Sequence, residues 1–268
     1  MRLLLSFLLT ISAFGGLFSQ RPSGGSLFYE QIRLLDLKER EEAIVNEIIS
    51  GNIPDFLKEW REIEFSGRDT SGNLHFVTIY VKADYLAAGS DDDYFTLPMT
   101  PQSAQKIADH FNASLPTSRV VDLIYEKSEL KLEPFNFIPR GNRNETPDLI
   151  YDHSKIVQAQ IKASGRTPGV FVAGTKKDIV LSSKLSDTKR AHHVTIYGWH
   201  RLTGVPIQPV TNIHIDTYVD YSHGVRLVSN KILIDGKEYD YRLILKDSML
   251  HSLLNSEKYP LSVTSYNY

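Results

Sequence analysis

The sequence predicts an α+β protein with a mixed or mainly antiparallel sheet and flanking helices, preceded by a signal peptide. Helix-like and strand-like periods follow one another irregularly along the 268 residues. A regular strand–helix–strand alternation, which would indicate a parallel sheet, is missing from the pattern. With 41% hydrophobic and 23% charged residues, the composition is typical of a globular chain that buries a core.

The N-terminus has the order of a secretory signal peptide. A positive charge at Arg2 precedes an uncharged, apolar run over residues 3–18, and polar residues follow from Ser19. The run is shorter than the roughly 20 residues that span a bilayer. We therefore expect a signal peptide over residues 1–19 and an exported protein, periplasmic or secreted, without a membrane span. An uncleaved N-terminal anchor is the alternative.

Charge and cysteine content exclude several classes of function. The chain has 30 Lys and Arg against 32 Asp and Glu, and its formal net charge is −2 at pH 7. Nucleic acid binding draws its affinity from clustered positive charge, so this balance argues against such a partner. The absence of cysteine excludes disulfides, thiolate nucleophiles and Cys-ligated zinc. An exported chain without cysteine is more typical of a bacterial than of a eukaryotic protein.

The first part of the predicted mature chain contains helix and hairpin patterns. Residues 28–50 carry apolar side chains at helical spacing, and Gly51 is placed to end that helix. Residues 62–66 and 74–82 are strand-like and flank a connection rich in turn-forming residues, which predicts a β-hairpin.

Two further helices are predicted from their first residues. Thr100 followed by Pro101 is a favourable N-cap and first helical position, and apolar residues continue the pattern to Phe111. Thr117 is placed to cap a second helix that continues to Leu130.

Residues 133–147 are the most linker-like part of the chain, because Pro, Gly and Asn are frequent there. We predict one domain over residues 20–268, with a candidate sub-boundary at this segment. A helix is predicted at 149–163, and the turn formers Asp235 and Gly236 predict a second hairpin. The remaining expected elements are strands at 170–173, 178–181, 194–200, 214–221, 225–228, 232–234 and 237–239, and a closing helix at 243–254.

Polar residues with catalytic chemistry concentrate in one strand-like region, which predicts a polar cleft over residues 193–226. Burying such groups costs free energy unless they are paired, so a core would not collect them without a reason. Five of the nine histidines lie within the 32 residues from 192 to 223: His192, His193, His200, His214 and His223.

Four residues of this region are candidates for catalysis. If residues 218–223 are extended, Asp220 and Ser222 share one face of the strand and His223 lies on the other. A Ser/His/Asp arrangement would then take its histidine from His200 or His214. The predicted catalytic residues are His200, Asp220, Ser222 and His223.

Metal binding is the open alternative for the histidines. His200, His214 and His223, with Asp216 or Asp220, would supply ligands for a divalent metal such as zinc and leave a position for water. The spacing of these residues matches no compact metal motif, so the sequence leaves the cofactor undecided.

A third group of residues is predicted to bind the substrate. The aromatic residues of the region would stack on a ligand, and the lysines after Gly174 would hold an anionic group. Arg226 would pair either with a substrate carboxylate or with Asp220. The predicted substrate-binding residues are Lys176, Lys177, Tyr197, Trp199, Tyr218, Tyr221 and Arg226.

Several segments of the chain resemble an uncharacterised family of exported bacterial proteins. The resemblance covers residues 75–255 and implies a shared site region without implying a particular reaction. The most specific segment has the pattern YVDYSHGxRLV and lies at Tyr218–Val228. The other segments are Leu97–Pro101, Leu115–Thr117, Ala173–Asp178 and Ile196–His200.

The leading functional hypothesis is a hydrolase that acts on an extracellular or envelope peptide or glycan. It rests on the concentration of His, Asp and Ser in the predicted cleft. A non-catalytic exported protein that binds a sugar or peptide is the alternative, and a structural partner of another envelope protein is a third. The sequence lacks the Gly-x-Ser-x-Gly pattern of many serine hydrolases, and it lacks the patterns of zincins and nucleotide-binding loops.

Overall fold

The protein is an α+β protein, as predicted, in a computed structural model that describes residues 23–139, 141 and 143–266. The predicted signal peptide lies outside the described residues. The helices are α1 (Gly25–Ile32), α2 (Leu37–Ile49), α3 (Pro101–His110), α4 (Ser118–Lys127), α5 (Pro147–Ala163) and α6 (Tyr241–Lys246).

The strands form a six-stranded sheet, a four-stranded sheet and two smaller pairs. They are β1 (Arg61–Arg68), β2 (Leu74–Val81), β3 (Ala87–Gly89), β4 (Tyr94–Thr96), β5 (Ala113–Ser114), β6 (Leu130–Lys131), β7 (Val172–Ala173), β8 (Lys177–Ile179), β9 (Ile196–His200), β10 (Pro206–Thr211), β11 (His223–Gly224), β12 (Val228–Ser229), β13 (Lys231–Ile234) and β14 (Lys237–Asp240).

The sheets are mainly antiparallel. In the six-stranded sheet the order is β14-β13-β2-β12-β5, and β1 also pairs with β2. In the four-stranded sheet the order is β10-β9-β8-β11, with β8 and β11 parallel. The small β6–β7 pair is parallel as well. None of the helices in the described part of the chain has the length and apolar character needed to cross a membrane.

Local sequence signals correctly predicted several elements. The β1–β2 hairpin pairs Arg61 with Val81 at one end and Arg68 with Leu74 at the other. The β13–β14 hairpin turns at Asp235 and Gly236, both at positive φ, as a two-residue hairpin turn requires. Helices α3 and α4 begin at the predicted caps: Thr100 accepts from the Ser103 amide, and Thr117 accepts from the Val120 amide.

The predicted helix over residues 28–50 is two helices. The chain leaves the helical path between α1 and α2, where the Asp36 carboxylate accepts a hydrogen bond from the Glu39 amide at 2.9 Å. A capping aspartate starts a new helix because it satisfies an amide that has no partner within that helix. Gly51 follows α2 at φ +89°, in agreement with its predicted role.

The predicted strands at 214–221 and 225–228 are wrong for most of their length. Residues 216–222 follow an irregular path, and regular pairing resumes only at the short strands β11 and β12. The Asp220 carboxylate accepts hydrogen bonds from the amide and the hydroxyl of Ser222. Such local side-chain bonds offer the backbone an alternative to a sheet ladder.

A buried arginine joins the end of β2 to β7 and, through Tyr85, to β8 of the four-stranded sheet. Arg226 is 0% exposed and donates to the Lys82 carbonyl, which follows β2, at 2.9 Å, and to the Val172 carbonyl of β7 at 2.7 Å. Its guanidinium lies 3.9 Å from the Asp84 carboxylate and 4.5 Å from the centre of the Tyr85 ring. Tyr85 in turn donates to Asp178 of β8 at 2.9 Å.

We expect Arg226→Met to lower the free energy of unfolding by about 3–5 kcal/mol, because it leaves buried carboxylates without their cation. Urea denaturation monitored by circular dichroism measures this change. Arg166→Met removes an exposed arginine and serves as the control, with an expected change within about 0.5 kcal/mol. Equal midpoints for the two variants would contradict the structural role of Arg226.

A second prediction concerns His75, which links the two hairpin turns. Its Nδ1 lies 2.7 Å from Asp235 and its Nε2 lies 3.4 Å from Asp69. The hydrogen bond to Asp235 is the main cause that raises the pKa of His75 above its ordinary value. The stability that His75 contributes is therefore fully present below a pH of about 6.5 and is lost as the pH rises through the raised pKa.

Urea midpoints at acidic and at alkaline pH test this effect. We expect His75→Gln to destabilise the protein more below pH 6 than above pH 8. His110→Gln removes an exposed histidine and should leave the pH dependence of the wild-type protein unchanged. A His75→Gln variant whose stability follows pH as the wild type does would refute the prediction.

Candidate functional site

The four-stranded sheet presents different chemistry on its two faces. Successive residues of a strand point to opposite sides, so Lys177 and Asp178 of β8 face away from each other. In β9 this alternation is interrupted, because Gly198 has a φ of +109° and Trp199 has a φ of +57°. Positive φ is rare for a bulky residue such as Trp199 and marks a strained backbone. The Trp199 ring lies 4.9 Å from the Lys177 ammonium.

A polar cluster lies on the Lys177 side of the sheet, and we call it the Asp220 cluster. It combines cationic, anionic and aromatic side chains that the parallel pairing of β8 with β11 brings together. Its members are Lys177, Trp199, His214, Tyr218, Asp220, Ser222 and His223.

Asp220 is the hydrogen-bonding centre of this cluster. One carboxylate oxygen accepts from the Ser222 amide at 2.8 Å and from the Ser222 hydroxyl at 2.5 Å. The other accepts from the Tyr218 hydroxyl at 3.1 Å and lies 4.0 Å from the Lys177 ammonium. Burial acts to raise the pKa of Asp220, but His223, Lys177 and the Ser222 hydrogen bonds outweigh it and hold the pKa at about 2. Asp220 is therefore ionised at neutral pH.

Within the Asp220 cluster, His223 is the buried acid–base group whose hydrogen-bonding capacity is unused. It is 1% exposed, and neither ring nitrogen has a hydrogen-bond partner within the described chain. Burial lowers its pKa to about 4, so the imidazole is neutral at neutral pH. Buried polar groups are normally paired, and an exception is a functional indication.

Two half-buried rings form the more exposed side of the cluster. His214 stacks on Tyr218 with the ring centres 4.4 Å apart. The His223 ring lies edge-on to Tyr218 at 5.8 Å and lies 6.4 Å from the His214 ring. Burial lowers the pKa of His214 as well. A ligand that reaches this surface therefore meets the His214 and Tyr218 rings, whereas His223 and Asp220 are buried.

The predicted Ser/His/Asp arrangement is not assembled. Ser222 donates its hydroxyl hydrogen to Asp220, and no histidine nitrogen of the described chain is hydrogen-bonded to it. Asp220 and Ser222 come together through a tight turn, whereas the prediction assumed an extended strand. Ser222 is thus a structural partner of Asp220.

His200 and Tyr197 belong to a different site. The His200 ring stacks on Tyr125 at 4.6 Å, and its Nε2 lies 3.0 Å from an Asp122 oxygen that also accepts from the Tyr197 hydroxyl at 2.7 Å. These four residues line a groove of about 560 Å³, and no member of the Asp220 cluster lines it. The prediction that His200 acts together with Asp220 is therefore not supported by the geometry.

The predicted three-histidine metal site is not formed. His214 and His223 lie near each other, but His200 is held by Asp122 in the separate groove. Over the described ranges 23–139, 141 and 143–266, no three His, Asp or Glu side chains are grouped as metal ligands would be.

Three of the predicted substrate-binding residues make polar contacts inside the protein. Lys176 is buried and donates to the Tyr221 carbonyl at 2.5 Å, and burial lowers its pKa to about 7. Tyr221 accepts from the Phe137 amide at 3.0 Å through its hydroxyl. Arg226 pairs with Asp84, which corrects the expected pairing with Asp220. Lys177, Trp199 and Tyr218 remain on the Asp220 cluster as predicted ligand-facing groups.

Some residues of these sites are distant in the chain and were not predicted from the sequence. Asp122 lies on α4, and its contact with His200 spans 78 positions. Burial raises the pKa of Glu145, and the nearby negative charge of Asp220 raises it further. Phe135 and Phe137 line a cavity of about 720 Å³ within the segment that was predicted only as a linker. Apolar residues in an otherwise polar segment were the available signal for this cavity.

Fold and site together define an α+β protein with a buried acid–base cluster at the junction of β8, β9 and β11. Comparisons of the chain with models of known protein families, with curated proteins and with solved structures found no match.

Proposed function

We propose that the protein is an exported hydrolase of a peptide or glycan, with the Asp220 cluster as its acid–base site. The observation that carries the proposal is His223, a neutral imidazole with both nitrogens unpartnered in the described chain, beside the ionised Asp220. A neutral imidazole accepts a proton, as a general base must. The N-terminal sequence pattern supports a substrate outside the cytoplasm.

The charges of the cluster suit attack by a water molecule. His223 takes a proton from the water as its oxygen attacks the substrate carbon, and the imidazolium then donates a proton to the leaving group. The Lys177 ammonium stabilises the negative charge that develops on the substrate. Asp220 stabilises the imidazolium and holds Lys177 and Tyr218 in place. Ser222 does not act as the nucleophile, because its hydroxyl hydrogen is engaged by Asp220.

Binding without catalysis is the second candidate function, and the saturation of Asp220 favours it. Four donor groups already surround this carboxylate, so it has little capacity left for a reacting group. The Trp199 indole nitrogen is buried, and within the described residues it has no partner. A sugar or peptide that stacks on an aromatic ring and accepts from this nitrogen would use the site without reacting.

His223→Gln tests the hydrolase proposal. The glutamine keeps a polar side chain of similar length but cannot act as a base at neutral pH. Fluorescein-labelled casein and purified peptidoglycan serve as probes, and mass spectrometry identifies released products. We expect His223→Gln to lower kcat by about 10²–10⁴-fold, the usual contribution of a general base. The wild-type rate should fall as the pH drops through about 4, because protonation removes the base.

His110→Gln is the matched control, because His110 is exposed and lies on α3, outside the cluster. It should retain the wild-type rate. Full activity in His223→Gln would refute the proposed site. If the wild type releases no product but binds either probe, and Trp199→Ala loses affinity while His223→Gln keeps it, the binding function is the correct one.

A further inference from the structure

The cavity next to the Asp220 cluster is well suited to bind part of a substrate. Its volume is about 720 Å³, within the usual range for ligand pockets. We call it the Phe137 cavity. Its lining combines apolar side chains from the loop before α5 with charged side chains from that loop and from α5 itself: Phe135, Asn136, Phe137, Ile138, Arg143, Asn144, Thr146, Asp148, Leu149 and Asp152.

Tyr221 packs against both Phe137 of the cavity and Trp199 of the Asp220 cluster. The Phe137 amide donates to the Tyr221 hydroxyl at 3.0 Å, and the two rings pack edge to face at 5.0 Å. The Tyr221 amide donates to the Asn144 carbonyl at 3.0 Å. Tyr221 directly follows Asp220 in the chain, and its ring lies 6.5 Å from Trp199. The cavity is therefore connected to the cluster through the contact of Phe137 with Tyr221.

The apolar side chains at the cavity are partly or largely exposed to solvent. Phe135 and Phe137 pack edge to face at 5.2 Å, and both rings lie against the buried His153. Ile138 at the same cavity is 75% exposed. Contiguous exposed apolar residues at a concave surface indicate a binding site for an apolar group.

The charged part of the cavity includes a carboxylate that is open to a ligand. Asp148 and Asp152 are four positions apart on α5, so both lie on the same side of the helix. Asp148 accepts from the Tyr29 hydroxyl at 2.7 Å and lies 3.8 Å from Arg33. Asp152 is exposed, and among the residues described it has no ion-pair partner. A ligand cation would complement this carboxylate.

We propose that the Phe137 cavity is the specificity subsite for a peptide substrate, with an apolar side chain on Phe135, Phe137 and Ile138 and a neighbouring basic side chain at Asp152. This inference rests on the proposed function and narrows its substrate class from a peptide or glycan to a peptide. A neutral glycan has neither an alkyl side chain for the apolar part nor a cation for the carboxylate.

Isothermal titration of blocked tetrapeptides tests the subsite. The probes are acetylated, amidated Gly-Phe-Lys-Gly and the same peptide with Glu in place of Lys. We expect the Lys peptide to bind about tenfold more tightly, because the Glu peptide places like charges together. Asp152→Asn should weaken binding of the Lys peptide about two- to fivefold, as expected for an exposed ion pair. Ile138→Ser should weaken binding of both peptides about fivefold.

Asp92→Asn is the control, because Asp92 is an exposed carboxylate in the turn between β3 and β4 and does not line the cavity. It should leave both affinities unchanged. Equal affinities for the two peptides, no effect of Asp152→Asn, or no binding of either peptide at about 1 mM would each overturn the subsite.

Cleavage of the same peptides, followed by mass spectrometry, separates the subsite from the hydrolase proposal. Binding that depends on Asp152 without any cleavage would support the subsite and count against hydrolysis. Cleavage that depends on His223 but not on Asp152 or Ile138 would support hydrolysis and overturn the subsite.

Discussion

The buried guanidinium of Arg226 is the interaction on which the arrangement of the site depends. It donates one hydrogen bond to the Lys82 carbonyl, directly after β2, and one to the Val172 carbonyl of β7. It also packs against the ring of Tyr85, whose hydroxyl donates to Asp178. Burial raises the pKa of Asp178 to about 6 although Arg226 opposes this effect. Because Asp178 is held on this inner side, its neighbour in β8, Lys177, is directed to the other face. The charge network of the core thus determines which lysine reaches the candidate site.

The Asp220 cluster shows how a buried carboxylate is kept ionised. Removing a charge from water is costly, and only hydrogen bonds and opposite charges offset that cost. Ser222 and Tyr218 provide the hydrogen bonds from within two positions of Asp220, so most of the partners come from one turn. His223 is the member of this turn whose ring nitrogens the rest of the described chain does not satisfy. Ser222 and Tyr218 therefore have a structural role, whereas we assign the chemistry to His223.

The Asp220 cluster and the separate groove at His200 illustrate where strand periodicity fails on the four-stranded sheet. Regular alternation in β9 would place Trp199 and Tyr197 on one side and His200 on the other. The positive φ angles of Gly198 and Trp199 interrupt the alternation, and Tyr197 and His200 meet the same Asp122 oxygen. A Cβ atom at Gly198 would lie 3.3 Å from the Val121 side chain, so the close packing of α4 on β9 also favours glycine there. The histidines that are close in sequence are therefore divided between two sites.

The amino-acid sequence by itself determined the features that depend on neighbouring residues. These are the α+β class, the two hairpins, the caps at Thr100 and Thr117, and the region in which polar residues gather. Tertiary structure decided the partners of Arg226, the separation of His200 from His223, and the cavity at Phe137. The physical reason is that caps and turns are bonds within a few residues, whose strength local residue types set. Contacts such as His200 with Asp122 join residues 78 positions apart, and their formation depends on how all the packed elements fit together.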